Sequence, residues 1–86
     1  MENNITKLAD TAPLMESEDF RDRFRAEYYQ LKIRINGLAG MIVKYKQGTL
    51  SFTPNTPCSI FEEQLDAMKK YAEALEKRAE LENIDL

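Results

Sequence analysis

The sequence predicts an all-α fold: a long antiparallel helical hairpin with arms at about residues 17–47 and 57–83, a short N-terminal helix before it, and assembly as a homo-oligomer. Three observations carry this expectation. In the first arm Phe24, Tyr28, Leu31, Ile35, Leu38, Ile42 and Tyr45 recur at alternating steps of four and three. That spacing gathers all of them on one stripe of a helix, whereas a strand would divide them between two faces. In the second arm Phe61, Leu65, Met68, Ala72, Leu75 and Ala79 repeat the rhythm. Each arm also carries a further face: Ala26, Tyr29, Ile33, Gly37, Gly40 and Val43 in the first, and Ile60, Gln64, Ala67, Tyr71, Ala74, Arg78 and Leu81 in the second. A lone hairpin buries one face per arm, so the remaining faces predict packing between copies.

Taken in order, residues 1–16 form an N-terminal arm. Asn3 and Asn4 are positioned to cap a short helix from Ile5 to Asp10, which the Thr11-Ala12-Pro13 stretch then breaks. A helix this short is unstable alone and must dock on a longer one. The acidic arm is expected to lie across the basic first arm of the hairpin. Ser17 is the expected N-cap of the long helix, with Glu18 and Asp19 against its positive end. Lys44, Lys46 and Gly48 mark its C-terminus. Gly37 and Gly40 sit inside it, each costing about 1 kcal/mol relative to alanine, and close approach of another backbone is the expected reason.

Residues 48–58 connect the arms. Leu50 and Phe52 are expected to plug the open end of the hairpin, with Thr49, Ser51, Thr53, Asn55 and Thr56 facing water. A connection this long exceeds what a turn requires and is a candidate functional element. The second arm is expected to start at Thr56-Pro57 or at Ser59, the latter closing a capping box with Glu62, and to run to about Glu82.

Composition narrows the function. An 86-residue chain is one small domain, for which oligomerisation is a common route to stability. No apolar run approaches the roughly 20 residues of a membrane span. The opening MENNITKLAD lacks the basic and apolar blocks of a secretory signal, so a cytoplasmic location is expected. Cys58 is the single cysteine and there is no histidine. Those absences argue against a metal site, a cofactor and the commonest acid–base and nucleophilic arrangements, and the chain is not expected to be an enzyme. No phosphate-loop glycine pattern, nucleophile elbow or HExxH sequence occurs.

Charge is distributed unevenly. Residues 1–19 carry one cation against five acids, residues 20–47 seven cations against two acids, and residues 59–86 four cations against eight acids. One reading is complementarity between packed helices; the other is a cationic surface for an anionic ligand. Arginine forks onto phosphate and tyrosine stacks on a base. The candidate ligand-binding residues are therefore Arg21, Arg25, Tyr28, Tyr29, Arg34, Lys44 and Tyr45. An acidic overall pI of about 4.9 and a thin cationic footprint disfavour a nucleic-acid polymer and favour a compact anion held between subunits.

The pattern Phe20-x-x-Arg23-x-x-x-Glu27-Tyr28-x-x-Leu31-x-x-Arg34-Ile35, followed by Gln64-Leu65-x-Ala67-Met68-x-x-Tyr71-x-x-x-Leu75-x-x-Arg78, resembles a family of small helical-hairpin proteins of phages and prophages, including crAss-like phages of gut bacteria. The resemblance covers about residues 18–86. In architecture the chain is also similar to phage sponge proteins, small oligomeric hairpins that hold cyclic oligonucleotides or ADP-ribose derivatives in pockets between subunits. That resemblance implies an anti-defence sponge that sequesters a nucleotide immune signal in the host cytoplasm. The competing expectation is a protein–protein module, an adaptor or inhibitor that lays its second face on a host protein.

Overall fold

The computed structural model of the protein describes residues 5–86. Among them are three α-helices and no strand: α1 (Ala12–Met15), entered through a 3-10 turn at Leu8–Thr11, then α2 (Phe20–Gln47) and α3 (Cys58–Leu81). Tyr45 meets Phe61 at one end of the α2–α3 pair and Arg78 lies over the Phe24 ring at the other, so the two long helices run antiparallel. The 43 Å long dimension is set by α2, since 28 residues at about 1.5 Å each give about 42 Å.

The core forms where the two expected seams meet. Phe24, Leu31 and Ile35 of α2 are buried together with Ala72, Leu75 and Ala79 of α3, and Tyr28, Leu65 and Met68 pack at the margin. Leu75 is 1% exposed, the most enclosed large apolar residue. The alanines in the α3 seam let the helices approach closely around the larger α2 side chains. Towards the connecting loop Ile42 remains buried while Leu38 and Tyr45 are half-buried, so the seam loosens at that end.

Both ends of α2 are closed by local chemistry. The N-cap is Asp19 rather than Ser17: the Asp19 carboxylate accepts from the Arg21 N–H at 2.9 Å. A carboxylate is the stronger acceptor and its charge meets the positive helix end, so it displaces the hydroxyl from that role. Ser17 supports the entry instead, accepting from the Asp19 N–H at 3.1 Å and donating to Asp22 at 2.8 Å. At the other end Gly48 adopts the left-handed conformation at φ 73°, and the Thr49 N–H reaches back to the Lys44 carbonyl at 2.9 Å.

The first residue of α3 is Cys58, with Pro57 in extended conformation as its N-cap. The expected Ser59–Glu62 capping box is absent because Glu62 turns to α2 and pairs with Lys46 at 3.0 Å. After Leu81 the chain makes a second left-handed stop at Asn83, φ 55°. The Ile84 N–H then bonds to the Ala79 carbonyl at 2.8 Å, and Ile84 drops into the core at 6% exposure. An apolar residue following a left-handed asparagine is the hydrophobic partner that this helix stop uses. The expected second arm did not include it.

The N-terminal arm lies on α2, as its charge implied, and makes no comparable packing with α3 among the described residues. Its local structure differs from expectation. The cap at Asn3-Asn4 falls outside the described residues. Ile5 to Lys7 are not helical, because the Asp10 carboxylate accepts from the Thr6 and Lys7 N–H groups at 3.0 and 3.1 Å and delays the turn to Leu8. These backbone donors hold the Asp10 carboxyl below its ordinary pKa. Pro13 does not break the helix; it occupies the first turn of α1, where its missing N–H has no partner to lose. Thr11 is fully buried, donating to the Leu8 carbonyl at 2.7 Å and accepting from Gln30 of α2 at 2.8 Å.

Ile84→Ala is expected to destabilise the fold by about 2–4 kcal/mol through the cavity it leaves. Leu81→Ala, at a position 83% exposed, is expected to stay within about 0.5 kcal/mol of wild type. Denaturant unfolding followed by far-UV circular dichroism checks both.

Candidate functional site

The seven candidate residues all belong to α2 and are spread along it. Arg21 and Lys44 are about 34 Å apart along the axis at 1.5 Å per residue, so one protomer does not gather the set. At the arm end, Arg21 is exposed and its Nε lies 3.5 Å from Asp19. Arg25 is half-buried, paired with Asp22 at 3.2 Å, and its Nε donates to the Asp85 carbonyl at 2.8 Å, which ties the C-terminal tail to α2. The Tyr28 hydroxyl donates to Glu76 of α3 at 2.6 Å. Burial first, and then that carboxylate, push the Tyr28 phenol up to about 12. The Tyr29 ring meets Tyr28 edge-on at 6.0 Å.

Further along, Arg34 is exposed and its side chain makes no hydrogen bond or ion pair with any described residue. Lys44 and Tyr45 reach the connecting loop on adjoining faces. Tyr45 packs edge-on against Phe61 at 6.3 Å. Lys44 has no ion pair to any described residue.

Ion pairs bear on the first reading of the charge asymmetry, complementarity between packed helices. Among the described residues one ion pair, Lys46–Glu62, crosses from α2 to α3; the others are local, at Arg21–Asp19, Arg25–Asp22 and Lys70–Asp66. Arg23 donates to the Ser17 carbonyl. The side chains of Lys32, Arg34 and Lys44 are bonded to no described residue. Helix pairing therefore consumes little of the positive charge of α2.

Surface clefts divide in the same way. Two lie along the α2–α3 groove, and each mixes signs: Lys46 and Lys69 with Glu62 and Asp66 in one of about 360 Å³, Lys32 and Lys69 with Glu73 and Glu76 in one of about 450 Å³. Two others flank the connecting loop. Leu50 and Phe52 form a wall between them. The smaller, about 250 Å³, holds Tyr45 and Pro54 and no charged residue. The larger, about 470 Å³, lies on the back of α2 over Gly37 and Gly40, with Asn36, Lys44 and Ser51 at its edges. Its single charged residue is Lys44. A carboxylate-free cleft with one cation is suited to an anion.

This arrangement departs from one expectation. Phe52 does not plug the hairpin end: it is 57% exposed, because the loop folds onto the back of α2 and of the two apolar residues Leu50 alone is half-buried, as is Thr56, which was expected to face water. Gly37 and Gly40 lie on the face expected to meet another copy, and within the protomer a Cβ built at either has nothing within 4 Å among the described residues beyond its own helix backbone. The sequence signals for this region were an aromatic residue in a loop longer than its connection needs, and two glycines on one helix face. Among the described residues no group of three or more cysteine, aspartate and glutamate side chains is arranged to hold a metal ion, and no helix is long and apolar enough to cross a membrane.

A family model described as Sequestin matches residues 18–81. The matched segment contains α2 and α3 whole and leaves out the arm and the C-terminal tail. No curated protein and no solved structure matches the chain.

In an absorbance titration one of the four tyrosines is expected to ionise near pH 12, and Tyr28→Phe to remove that component. The bond to Glu76 needs the neutral phenol, so its contribution is complete below about pH 10, where tyrosine ionises in the unfolded chain, and is lost as pH rises through about 12. Tyr28→Phe is accordingly expected to cost about 0.5–1.5 kcal/mol at neutral pH, a difference that closes in alkali.

Proposed function

The chain belongs to the Sequestin family, and from that premise we propose that it is a phage-encoded anti-defence sponge that holds a nucleotide-derived immune signal without turnover. The family's name speaks of sequestering. One observation supports an anionic cargo: the side chains of Lys32, Arg34 and Lys44 of α2 bond to no described residue, so their charge is available to a ligand. A cyclic oligonucleotide or ADP-ribose derivative presents phosphates for such cations and bases for aromatic rings. Sequestration requires tight binding and slow release, which a rigid two-helix scaffold favours because little is ordered on binding. Assembly as a homo-oligomer belongs to the same proposal, with Arg21, Arg25, Arg34 and Lys44 as phosphate ligands and Tyr28, Tyr29 and Tyr45 as stacking rings in pockets that copies share. Arg25 and Tyr28 would have to exchange their bonds to Asp85 and Glu76 to take part. Binding and release in the host cytoplasm involve no catalysis.

A second reading, a protein–protein module, is favoured by the outer stripe of α3, where Ile60, Tyr71 and Leu81 are 49%, 45% and 83% exposed. Sedimentation separates the two. The sponge reading expects an oligomer at micromolar concentration that Tyr71→Glu disperses, whereas a monomeric wild type favours the module.

Isothermal titration with cyclic dinucleotides, cyclic trinucleotides, cyclic ADP-ribose and histidine-linked ADP-ribose tests the cargo. Submicromolar binding of at least one, with the ligand recovered intact after denaturing the protein, is expected. No binding across that panel removes the proposal.

A further inference from the structure

We infer that the cleft on the back of α2 is the seat of the ligand: a planar base of a nucleotide enters between a floor made by Gly37 and Gly40 and the ring of Phe52, with a phosphate against Lys44. This rests on the sequestration reading and moves its site into one protomer, keeping Lys44 of the residues named above and dispensing with a pocket shared between copies.

The floor comes first. Gly37, Gly40 and Lys44 follow one another at three- and four-residue steps, so they share the face of α2 turned away from the hairpin seam. A Cβ at Gly37 or Gly40 would touch nothing among the described residues beyond its own helix backbone, so no packing contact there requires either glycine. What their missing side chains provide is depth. The loop then builds a wall over that floor: Phe52 is more than half exposed yet lines the cleft, an apolar plate with one face uncovered. Base stacking on such a ring typically contributes about 1–3 kcal/mol.

The polar rim points to the same class of ligand. The side chains of Asn36, Lys44 and Ser51 border the cleft and bond to no described residue. They offer an amide, an ammonium and a hydroxyl, with no carboxylate in the lining to repel a phosphate. The volume of about 470 Å³ lies in the range of roughly 300–1,000 Å³ typical of small-molecule sites.

A helix of a second copy fits this place poorly. The same back face is covered towards the N-terminus by the arm, which buries Ala26 to 1% and bonds Thr11 to Gln30. Towards the C-terminus it is covered by the loop. The arm's bond at Gln30 and the loop at Lys44 leave at most about 21 Å of this face between them, so α2 or α3 of a second copy, 28 and 24 residues long, would strike the arm and the loop if it lay along α2. A compact ligand meets neither.

The test uses the full chain with cyclic di-AMP and cyclic ADP-ribose as probes, measured by isothermal titration beside thermal unfolding and sedimentation. The double variant Gly37→Ala/Gly40→Ala is expected to raise Tm, as alanine favours helix, while weakening binding at least tenfold. Phe52→Ala is expected to weaken binding at least tenfold with Tm near wild type. Lys44→Gln is expected to weaken it and flatten its salt dependence, whereas Lys77→Gln, the same charge change on α3, leaves it unaltered. Wild-type binding that survives the glycine and phenylalanine variants overturns this site and leaves sequestration standing. Failure of the wild type to bind either probe or any other member of the nucleotide panel overturns both. If the glycine variant instead disperses an oligomer in the absence of any probe, the face belongs to a second copy and the site is overturned.

Discussion

The packing of the Phe24–Tyr45 stripe of α2 on the Phe61–Ala79 stripe of α3 is the contact on which the other features hang. α2 is 28 residues long in a chain of 86, so it exposes more helix surface than a single partner helix can cover. The remaining segments are recruited to the ends of that contact. Ile84 fills the space beside Phe24 and Ala79, the arm closes over Ala26, and Leu50 reaches towards the loosened end near Tyr45. Small domains bury a modest share of their surface, and here each accessory segment adds area to one end of an elongated core. The middle of the back of α2 is what these segments leave uncovered.

Charge follows a different logic from packing. A hairpin whose arms are oppositely charged would be expected to lace them together, yet the one ion pair between α2 and α3 among the described residues, Lys46–Glu62, is exposed on both sides and contributes little. The apolar seam supplies the attraction, and Tyr28 binds Glu76 across it through a neutral hydroxyl. The acids of α3 and the cations of α2 mostly point elsewhere. Positive charge kept near Lys44 and away from carboxylates is then available to an outside anion at the screening length of ordinary salt, about 8–10 Å.

Legibility from sequence tracked the range of the interaction. The two seams were readable because helix period alone determines them, and Gly48 was readable because a left-handed stop is a local event. Asp19 in place of Ser17 is a competition between two good caps, settled by which acceptor also carries charge. Pro13 is ambiguous in sequence because proline ends one helix and begins another with the same chemistry, and only Asp10, bonding back to Thr6 and Lys7, shows where the turn starts. Ile84 lay beyond the last repeat of the seam, where periodicity carries no information. Of the seven candidate residues Lys44 lines the cleft on the back of α2 and Tyr45 lines its neighbour, while Gly37 and Gly40 stand out in the sequence only as breaks in helix propensity. Whether Phe52 turns under the hairpin or onto the back of α2 depends on the path of the loop, and no local rule fixes that.

The glycines are where stability and function separate. A domain of this length holds about 4–13 kcal/mol of net stability at roughly 0.05–0.15 kcal/mol per residue. Two glycines inside α2 forgo about 2 kcal/mol relative to alanine, a substantial part of that margin. Glycine inside a helix ordinarily finds its reason in a neighbouring backbone, and among the described residues no atom outside the local helix stands within 4 Å of where either Cβ would be. Neither residue adopts a left-handed conformation that would exclude a side chain, unlike Gly48. A locally unfavourable choice with no compensation inside the fold marks a place where something outside the fold is accommodated. The surface above these two residues carries an aromatic plate, a lone cation and unbonded polar groups, so the compensation is best sought in a ligand that uses all of them together.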